Sequence, residues 1–258
     1  MARHIQEMGG EARVVRNDNL GSIRADDVVV RWGCTSTIPT RGVTVINSPA
    51  AIHNCNNKSA SRVALQTNGI PVPRTYVCAD DVVGLSGTFV ARPNTHSRGK
   101  NMVVGAAQQV INALNGWGGG YISEYIPKVR EVRVFVIQGR VAWVAEKTPA
   151  DPRAHAWNVA QGGRFDNIRW ADWPVNACAQ AIAACHVLGA DFAGVDVMLD
   201  ADSNPYILEL NSAPSQTSPY RQQCSAKAFK WMYENGKGTI PIGGSDWKGV
   251  IHPALRSN

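Results

Sequence analysis

The sequence predicts a mixed α+β fold, in which a small α/β subdomain precedes a larger body of short strands and helices. Three observations support this. With 258 residues and 44% apolar residues, the chain can bury the core of one compact unit with two or three subdomains. Short apolar runs punctuated by Gly and Pro are typical of strands. Two such runs late in the chain are joined by a polar turn, which predicts a hairpin.

The N-terminal part predicts the small α/β subdomain. Residues 12–16, 27–32 and 43–47 have the apolar character of short buried strands. Ser48 followed by Pro49 is typical of a helix start, and we expect one helical run through Leu65 that stops at Asn68 and Gly69.

The middle of the chain predicts five more strands and one helix. We expect strands at 88–92 and 101–105, joined by a polar loop, and further strands at 121–126, 132–138 and 141–147. A long polar stretch follows over 148–173, before a helix at 174–189. The Gly- and Pro-containing segment 238–258 is expected to be a loosely docked extension.

The predicted hairpin, 192–200 and 205–211, brings acidic residues together. If Asp200 pairs with Pro205, the antiparallel register places Asp196 opposite Glu209, with Asn211 on the same face. Facing carboxylates repel each other, and a hard divalent cation is the usual remedy. Oxygen ligands without His or Cys suit Mg²⁺. The hairpin is therefore a candidate Mg²⁺ site, with an ordinary amphipathic hairpin as the alternative.

Composition and charge exclude several classes of protein. No apolar run approaches the roughly 20 residues of a membrane helix, and the N-terminus lacks a secretory pattern, so we expect a cytoplasmic protein without a membrane partner. The six cysteines lack metal-site spacing and indicate reduced thiols. Residues 61–140 carry nine basic and four acidic side chains, and residues 141–220 carry four and nine. This asymmetry is compatible with a phosphate cradle beside a metal site.

A series of short segments then resembles a known family. These segments are, in order, 45–49 with 57–58, then 69–75, 123–126, 131–133, 194–196 and 209–214. Together they resemble the ATP-grasp carboxylate-amine ligases, particularly the branch of ribosomal-protein glutamate ligases and bacterial glutathione synthetase. The resemblance implies an ATP-grasp fold, in which two α+β subdomains clasp ATP.

The resemblance also implies roles in nucleotide binding. Backbone groups of Glu124, Tyr125 and Ile126 would meet adenine, and Glu131 would bind the ribose hydroxyls. Lys58 and Arg92 would face the phosphates. The family usually has lysine at the position of Arg92, and arginine keeps the charge while changing the geometry.

A phosphate flap and a second basic cluster complete the implied site. The loop 95–100 resembles the flap, which implies phosphate contacts for Ser97, Gly99 and Lys100. Lys147 and Asn158 match further family positions. The family's arginine two residues before that Asn is Ala156 here, so Arg153 or His155 would have to replace it.

The implied cofactors are ATP and Mg²⁺, with two ions expected and Mn²⁺ as an alternative metal. A carboxylate would be phosphorylated and then captured by an amine, with Arg133 and Arg153 as catalytic candidates for the carboxylate and the acyl phosphate. Two alternatives stay open, namely a non-catalytic ATP-binding module and an ATP-grasp kinase. Nucleic-acid binding is disfavoured, because the basic residues are scattered and no recognition motif is present.

The expected organisation has four parts. These are an N-terminal subdomain at 1–57, an N-lobe at 58–120, a C-lobe at 121–237 and a tail at 238–258. Expected partners are ATP, a carboxylate and an amine from an amino acid, peptide or protein terminus, and a homo-oligomer is compatible with this organisation. The sequence leaves the acid and the amine open.

Overall fold

The structure, a computed structural model, describes residues 1–38, 42–94, 101–151, 154–155, 157, 162–243 and 249–256. The N-terminal part contains helix α1 (Ala2–Glu7) and two parallel strands, β1 (Val28–Val30) and β2 (Thr44–Ile46). The strand expected at 12–16 is not formed, so this prediction was wrong. Val14 is 78% exposed, and an apolar run with neither a partner strand nor a buried face has little to stabilise it as a strand.

Two helices stand where the sequence predicted one. α2 (Pro49–Asn56) begins at the Ser48 cap, whose side chain accepts a hydrogen bond from the Ala51 N–H. α3 (Lys58–Thr67) begins at Asn57, whose side chain accepts from the Ala60 N–H. Asn57 caps well because its oxygen satisfies a free N–H in the first turn, so it divides the run. Lys58 consequently becomes the first residue of α3.

The first large sheet, called the N-lobe sheet, is antiparallel and has the order β3-β6-β4-β5. α4 (Ala107–Gly116) covers one of its faces, where Phe89, Ala91 and Ile122 belong to a shared apolar cluster. Because side chains alternate along a strand, Arg92 lies on the opposite face. The strands are β3 (Thr75–Tyr76), β4 (Phe89–Pro93), β5 (Val103–Gly105) and β6 (Gly120–Glu124).

The second large sheet, called the C-lobe sheet, has five antiparallel strands in the order β11-β10-β7-β8-β9. The sequence predicted all of these strands except β9, which lies in the polar stretch. The strands are β7 (Arg130–Ile137), β8 (Arg140–Thr148), β9 (Arg164–Ile168), β10 (Phe192–Leu199) and β11 (Pro205–Asn211).

Helices pack on both faces of the C-lobe sheet. The predicted helix forms as α5 (Val175–Val187), and its small buried residues pack against Val134 and Val195. α6 (Pro219–Asn235), which the sequence analysis missed, packs Phe229 against Phe135 on the other face. α6 covers only part of that face. The remainder carries charged residues, and this division positions the candidate site.

The described part of the C-terminal segment is packed on the core, so the expectation of loose docking was wrong. Ile251 is fully buried, and Ile240, Val250 and Leu255 are nearly so. Val250 forms a β-bridge with Val141. Burial of these four apolar side chains stabilises the packing of the segment on the core. The Gly and Pro content of the segment gave no indication of this packing. Among the described residues, no helix combines the length and the apolar character needed to cross a lipid bilayer.

Candidate active site

Four buried charged side chains form a network on the face of the C-lobe sheet that α6 leaves open. Arg133 donates two hydrogen bonds to Asp196, at 2.6 and 2.8 Å. Lys147 bonds Asp196 at 2.6 Å and Glu131 at 2.5 Å. Asp196 and Arg133 are direct partners on β10 and β7. The sheet register therefore brings together four residues that are scattered over 65 positions of the sequence, from 131 to 196.

The ion pairs decide the protonation of this network. Burial alone would raise the pKa of Asp196, but Arg133 and Lys147 outweigh it and hold the pKa below its ordinary value. Burial would lower the pKa of Lys147, and the carboxylates of Asp196 and Glu131 more than compensate, so that pKa is raised. Asp196 is therefore a carboxylate and Lys147 an ammonium ion at neutral pH.

Glu209 on β11 faces this network and pairs with Lys58 at the start of α3, at 2.5 Å. Burial and the nearby Asp196 raise the pKa of Glu209, but Lys58 and its hydrogen bond outweigh both, so the pKa is lowered. The two facing carboxylates, Asp196 and Glu209, are thus compensated by Lys58, Arg133 and Lys147. Their repulsion does not by itself require a metal ion, contrary to the argument made from the sequence.

The hairpin register agrees with the prediction at the site but not at the turn. Asp196 is opposite Glu209, as expected, whereas Leu199 rather than Asp200 pairs with Pro205. Asp200 belongs to the turn, because its Oδ1 accepts hydrogen bonds from the N–H groups of Asp202 and Asn204. A β-bulge opposite the step from Asp196 to Val197 restores the predicted register.

The oxygen donors of the hairpin are suitable for Mg²⁺. Asn211 follows Glu209 on the same face and donates its Nδ2 to the Gly194 carbonyl at 3.2 Å, while Leu210 packs into the core on the other side. In the described residues Glu209 uses only Oε2 in its ion pair. Among the described residues, no group of three His, Cys, Asp or Glu side chains is arranged to hold a metal. The donor set is two carboxylates and one amide oxygen, which fits an ion that also takes phosphate oxygens.

Across the cleft, Arg92 on β4 lies on the uncovered face of the N-lobe sheet. Its Nη2 lies 3.1 Å from the thioether sulfur of Met102, which is a weak acceptor. The sequence analysis missed Lys128, which pairs with Glu131 and lies over the Trp157 ring at 4.6 Å. Its pKa is lowered chiefly by burial. Both cations are thus near the cleft, and only Lys128 has a carboxylate partner in the described residues.

The predicted adenine hinge lies at the end of β6. The N–H groups of Glu124 and Tyr125 donate to the carbonyls of Arg74 and Thr88, both at 2.9 Å. These two donors are therefore used by the protein itself. The Tyr125 ring also contacts His155 edge to face, with centroids 5.4 Å apart. The loop that contains His155 thus approaches the hinge.

Several predicted site residues lie outside the described part of the chain. These are Ser97, Gly99, Lys100, Arg153 and Asn158. The structure brings together the other predicted residues as two groups. Arg133, Lys147, Glu131 and Asp196 form one network on the C-lobe side, and the Lys58–Glu209 pair and Asn211 lie beside it. Arg92 and the hinge lie on the N-lobe sheet.

Two further residues at the site were missed because each needs a distant element. Arg62 on α3 is buried and donates Nε to the carbonyl of Leu208 in the bulge, at 3.1 Å. Phe165 on the unpredicted strand β9 lies beneath the Arg133 guanidinium, 4.9 Å from carbon to ring centre. Arg62 stands four residues after Lys58 on one helix face, and this spacing is the signal that could have identified it.

Two antiparallel sheets, one carrying Arg92 and the other a network of ion pairs, correspond to the two α+β subdomains of the ATP-grasp class of fold. The chain belongs to the RimK-like ATP-grasp family, whose model matches residues 55–227. The predictions of superfamily and fold class are therefore confirmed.

Relatives and solved structures support this assignment. The chain is 26% identical over 245 residues to a tetrahydromethanopterin:α-L-glutamate ligase of Methanosarcina acetivorans, covering 80% of this chain and 73% of the relative. It is 27% identical to a probable α-L-glutamate ligase of Parasynechococcus marenigrum, covering 72% of this chain but 42% of the relative. The chain thus spans less than half of this second relative.

Solved structures show the same fold. A D-alanine–D-alanine ligase of Bacillus anthracis in complex with ATP aligns with a TM-score of 0.58 and 18% identity, covering 82% of this chain and 76% of that one. The ATP-grasp ligase PsnB in complex with a precursor variant, Mg and ADP aligns with a TM-score of 0.52 and 23% identity, covering 69% and 56%.

Proposed function

We propose that this chain is an ATP-dependent carboxylate-amine ligase that releases ADP and phosphate. The observation that carries the proposal is the charge balance of the cleft. Five basic side chains, Lys58, Arg92, Lys128, Arg133 and Lys147, accompany three carboxylates, Glu131, Asp196 and Glu209. Arg62 lies at the same site, so basic side chains outnumber carboxylates, and this excess of positive charge complements Mg-bound ATP, which carries about −2. The names of the relatives as ligases support the same reaction class.

In this proposal Asp196, Glu209 and Asn211 hold Mg²⁺, which neutralises charge on the phosphates when bound. Arg92 and Lys58 bind phosphate oxygens. Arg133 orients Asp196 and, together with Arg153, binds the substrate carboxylate and then the acyl phosphate, whose negative charge both guanidinium groups complement. Lys147 keeps Asp196 ionised, because its ammonium group lies 2.6 Å from that carboxylate.

The proposed chemistry has two steps. A carboxylate oxygen of the acid substrate attacks the γ-phosphorus, the bond to ADP breaks, and an acyl phosphate forms. The amine nitrogen then attacks the acyl carbon, the C–O bond to phosphate breaks, and the amine loses a proton as the amide forms. No protein nucleophile is needed, so the residues contribute positioning and charge.

We also propose finer assignments. For the nucleotide and the metal, these are two bound ions with Mn²⁺ as a substitute, adenine contacts at Glu124–Ile126, ribose contacts at Glu131, flap contacts at Ser97, Gly99 and Lys100, and roles for Lys147 and Asn158. For the protein as a whole, these are an amino-acid or peptide amine as substrate and a cytoplasmic location. The division of the chain into four parts, with boundaries after residues 57, 120 and 237, also stays a proposal. Pairing of β6 with β3 and β4 favours moving the middle boundary to the end of β6.

Trapping with hydroxylamine tests the reaction class. Hydroxylamine replaces the amine and converts an acyl phosphate into a stable hydroxamate. The protein is incubated with Mg-ATP, hydroxylamine and pools of amino acids, peptides and folate-like acids, and hydroxamate and ADP are measured together. We expect equal amounts of both products with the correct acid. Release of ADP with a stable phosphorylated product would indicate a kinase, and saturable ATP binding without ADP would indicate a binding module.

A further inference from the structure

Arg221, in the first turn of α6, is a buried cation without an anionic partner in the described part of the chain. It is 5% exposed, and its Nε is enclosed without a hydrogen-bond partner. Among the described residues, no ion pair or hydrogen bond involves Arg221. A guanidinium removed from water without a carboxylate is costly, so native structures rarely keep one without a use for it.

The surroundings of Arg221 join it to the candidate active site. Its guanidinium lies over the rings of Trp143 and Phe165, at 5.6 and 5.4 Å. The same Phe165 ring contacts Arg133 at 4.9 Å and Lys147 at 5.7 Å. Phe165 thus contacts Arg221 as well as two cations of the Asp196 network.

Nearby acidic residues do not compensate Arg221. Asp166 is the nearest candidate, but its Oδ2 is bound by Arg164 at 2.8 Å and by Thr148 at 3.0 Å. Burial lowers the pKa of Arg221, and repulsion by Arg133 lowers it further, while Asp166 only partly opposes this. The site therefore has an unsatisfied positive charge beside the reacting groups.

We propose that Arg221 binds a carboxylate of the amine substrate, one that the reaction does not consume. This inference rests on the proposed ligase function and specifies its amine as an amino acid or peptide with a free carboxylate. A carboxylate accepts two parallel hydrogen bonds from a guanidinium, which is the interaction that Arg221 lacks. Arg133 is already bound to Asp196 in this way, whereas Arg221 makes no such pair among the described residues.

The position suits this role better than contact with the acid that is phosphorylated. That acid must reach the phosphates near Asp196 and Glu209, where Arg133 binds Asp196. A substrate whose carboxylate is bound at Arg221 would place its amine on the same side of the protein as the Phe165 ring, which contacts both Arg221 and Arg133. The bound carboxylate would therefore select the amine and orient it.

The test compares two amines with one acid. Hydroxylamine has no carboxylate, whereas L-glutamate has two, and both are used with the acid identified by hydroxamate trapping. Arg221→Met keeps the packing on Phe165 and removes the fork. We expect Arg221→Met to form hydroxamate at the wild-type rate but to lose at least about tenfold in kcat/KM for L-glutamate, since the side chain no longer donates charge-assisted hydrogen bonds to the bound carboxylate. Arg221→Lys should recover part of the loss.

Two amides identify the carboxylate that is bound. L-isoglutamine lacks the α-carboxylate and L-glutamine lacks the side-chain carboxylate. With wild type, one of them should be used at least about tenfold less well than L-glutamate, and Arg221→Met should reduce this preference. If wild type uses carboxylate-free amines as well as L-glutamate, the proposal is wrong.

A matched control separates binding from folding. Arg256 also has an enclosed Nε without a partner and stacks on a tryptophan, Trp170, at 4.7 Å, but it lies on the C-terminal segment outside the site. Arg256→Met should leave both reactions unchanged. Equal losses of hydroxamate and L-glutamate turnover in Arg221→Met would overturn the proposal, because Arg221 would then act on the acid or on the fold. Absence of hydroxamate in wild type would instead contradict the ligase function itself.

Discussion

The two sheets that border the cleft differ in whether their charged side chains have charged partners within the protein. On the C-lobe sheet, Asp196 and Glu131 each bind two cations, and both are almost fully buried. On the N-lobe sheet, Arg92 is half-buried, and its contact in the described residues is the sulfur of Met102. The C-lobe half of the site is thus assembled in the protein alone. The N-lobe half offers a cation that gains a strong partner only when an anion binds.

This difference separates stability from ligand binding. Removing one member of a buried ion-pair network leaves the others without compensation, which destabilises the fold. Removing a cation whose partner is a weak acceptor costs the protein little and costs the ligand more. Substitutions in the ion-pair network of the C-lobe sheet should therefore lower stability, whereas substitution of Arg92 on the N-lobe sheet should weaken ligand binding.

The largest effect on stability is expected for Asp196→Asn. The change leaves Arg133 and Lys147 facing only Glu131 within the network, so we expect a loss of about 3 kcal/mol or more of unfolding free energy. Urea denaturation followed by circular dichroism would measure it. A loss below about 1 kcal/mol, the range of surface pairs, would show that water already reaches this network and that the contrast between the sheets is incorrect.

Glu209→Gln is expected to remove activity and to change stability little. Glu209 and Lys58 are each about one quarter exposed, so loss of their pair should cost no more than about 1 kcal/mol. ADP production should fall roughly a hundredfold or more, because a metal ligand loses its charge. The control is Glu146→Gln, which breaks the comparably exposed pair with Arg130 and removes no member of the Asp196 network. Wild-type turnover and Mg²⁺ dependence in Glu209→Gln would exclude the proposed metal site.

Arg92→Met is the complementary change on the N-lobe sheet. We expect the melting temperature without ligand to match that of wild type, because only the contact with a thioether is lost. In wild type, saturating Mg-ATP stabilises the folded state by mass action, and most of this increase should disappear in the variant. Differential scanning fluorimetry measures both values. A variant that is destabilised without ligand, yet keeps the full Mg-ATP shift, would assign Arg92 a structural role.

Much of the fold was predictable because its signals are local. Apolar runs identified β4, β5, β6, β7, β8 and the hairpin, and each lies within two residues of its expected position at its start. β9 and the helices α1, α4 and α6 were missed. β9 contains Arg164, Asp166 and Asn167, and it is a strand because it pairs along β8 rather than because of its own composition. Tertiary pairing overrides a weak local preference.

Those parts of the site that lie within one hairpin or one motif could be predicted from the sequence. The facing of Asp196 and Glu209 follows from strand pairing, although the bulge that produces it could not be read from the turn. The partners of these carboxylates come from other elements, since Lys147 is 49 residues away from Asp196 and Lys58 is 151 residues away from Glu209. No sequence pattern identified Arg221, because its interest comes from the lack of an anionic partner among the described residues of the folded protein.

The smallest expected effect is a difference in thiol reactivity between the two sheets, which can be measured on the wild-type protein. Cys78, just after β3 on the N-lobe sheet, is exposed, whereas Cys55, Cys178 and Cys185 are buried in the cluster around α5 and the C-lobe sheet. Burial raises the pKa of Cys55 to about 12, and the thiolate is the reactive form. At pH 8 we therefore expect iodoacetamide to modify Cys78 readily, and the three buried thiols only through unfolding.

Saturating Mg-ATP should slow labelling of the buried thiols further, since it lowers the unfolded population, and should leave Cys78 unchanged. The sign of the pH effect is also fixed. The folded pKa of Cys55 lies above that of the unfolded thiol, so its contribution to stability is complete below about pH 8.5 and is lost as the pH rises towards 12. Mass spectrometry of peptides after timed labelling distinguishes the sites. If Cys55 or Cys185 in the native protein reacts as fast as Cys78, the C-lobe core opens locally and is not the preassembled half of the site.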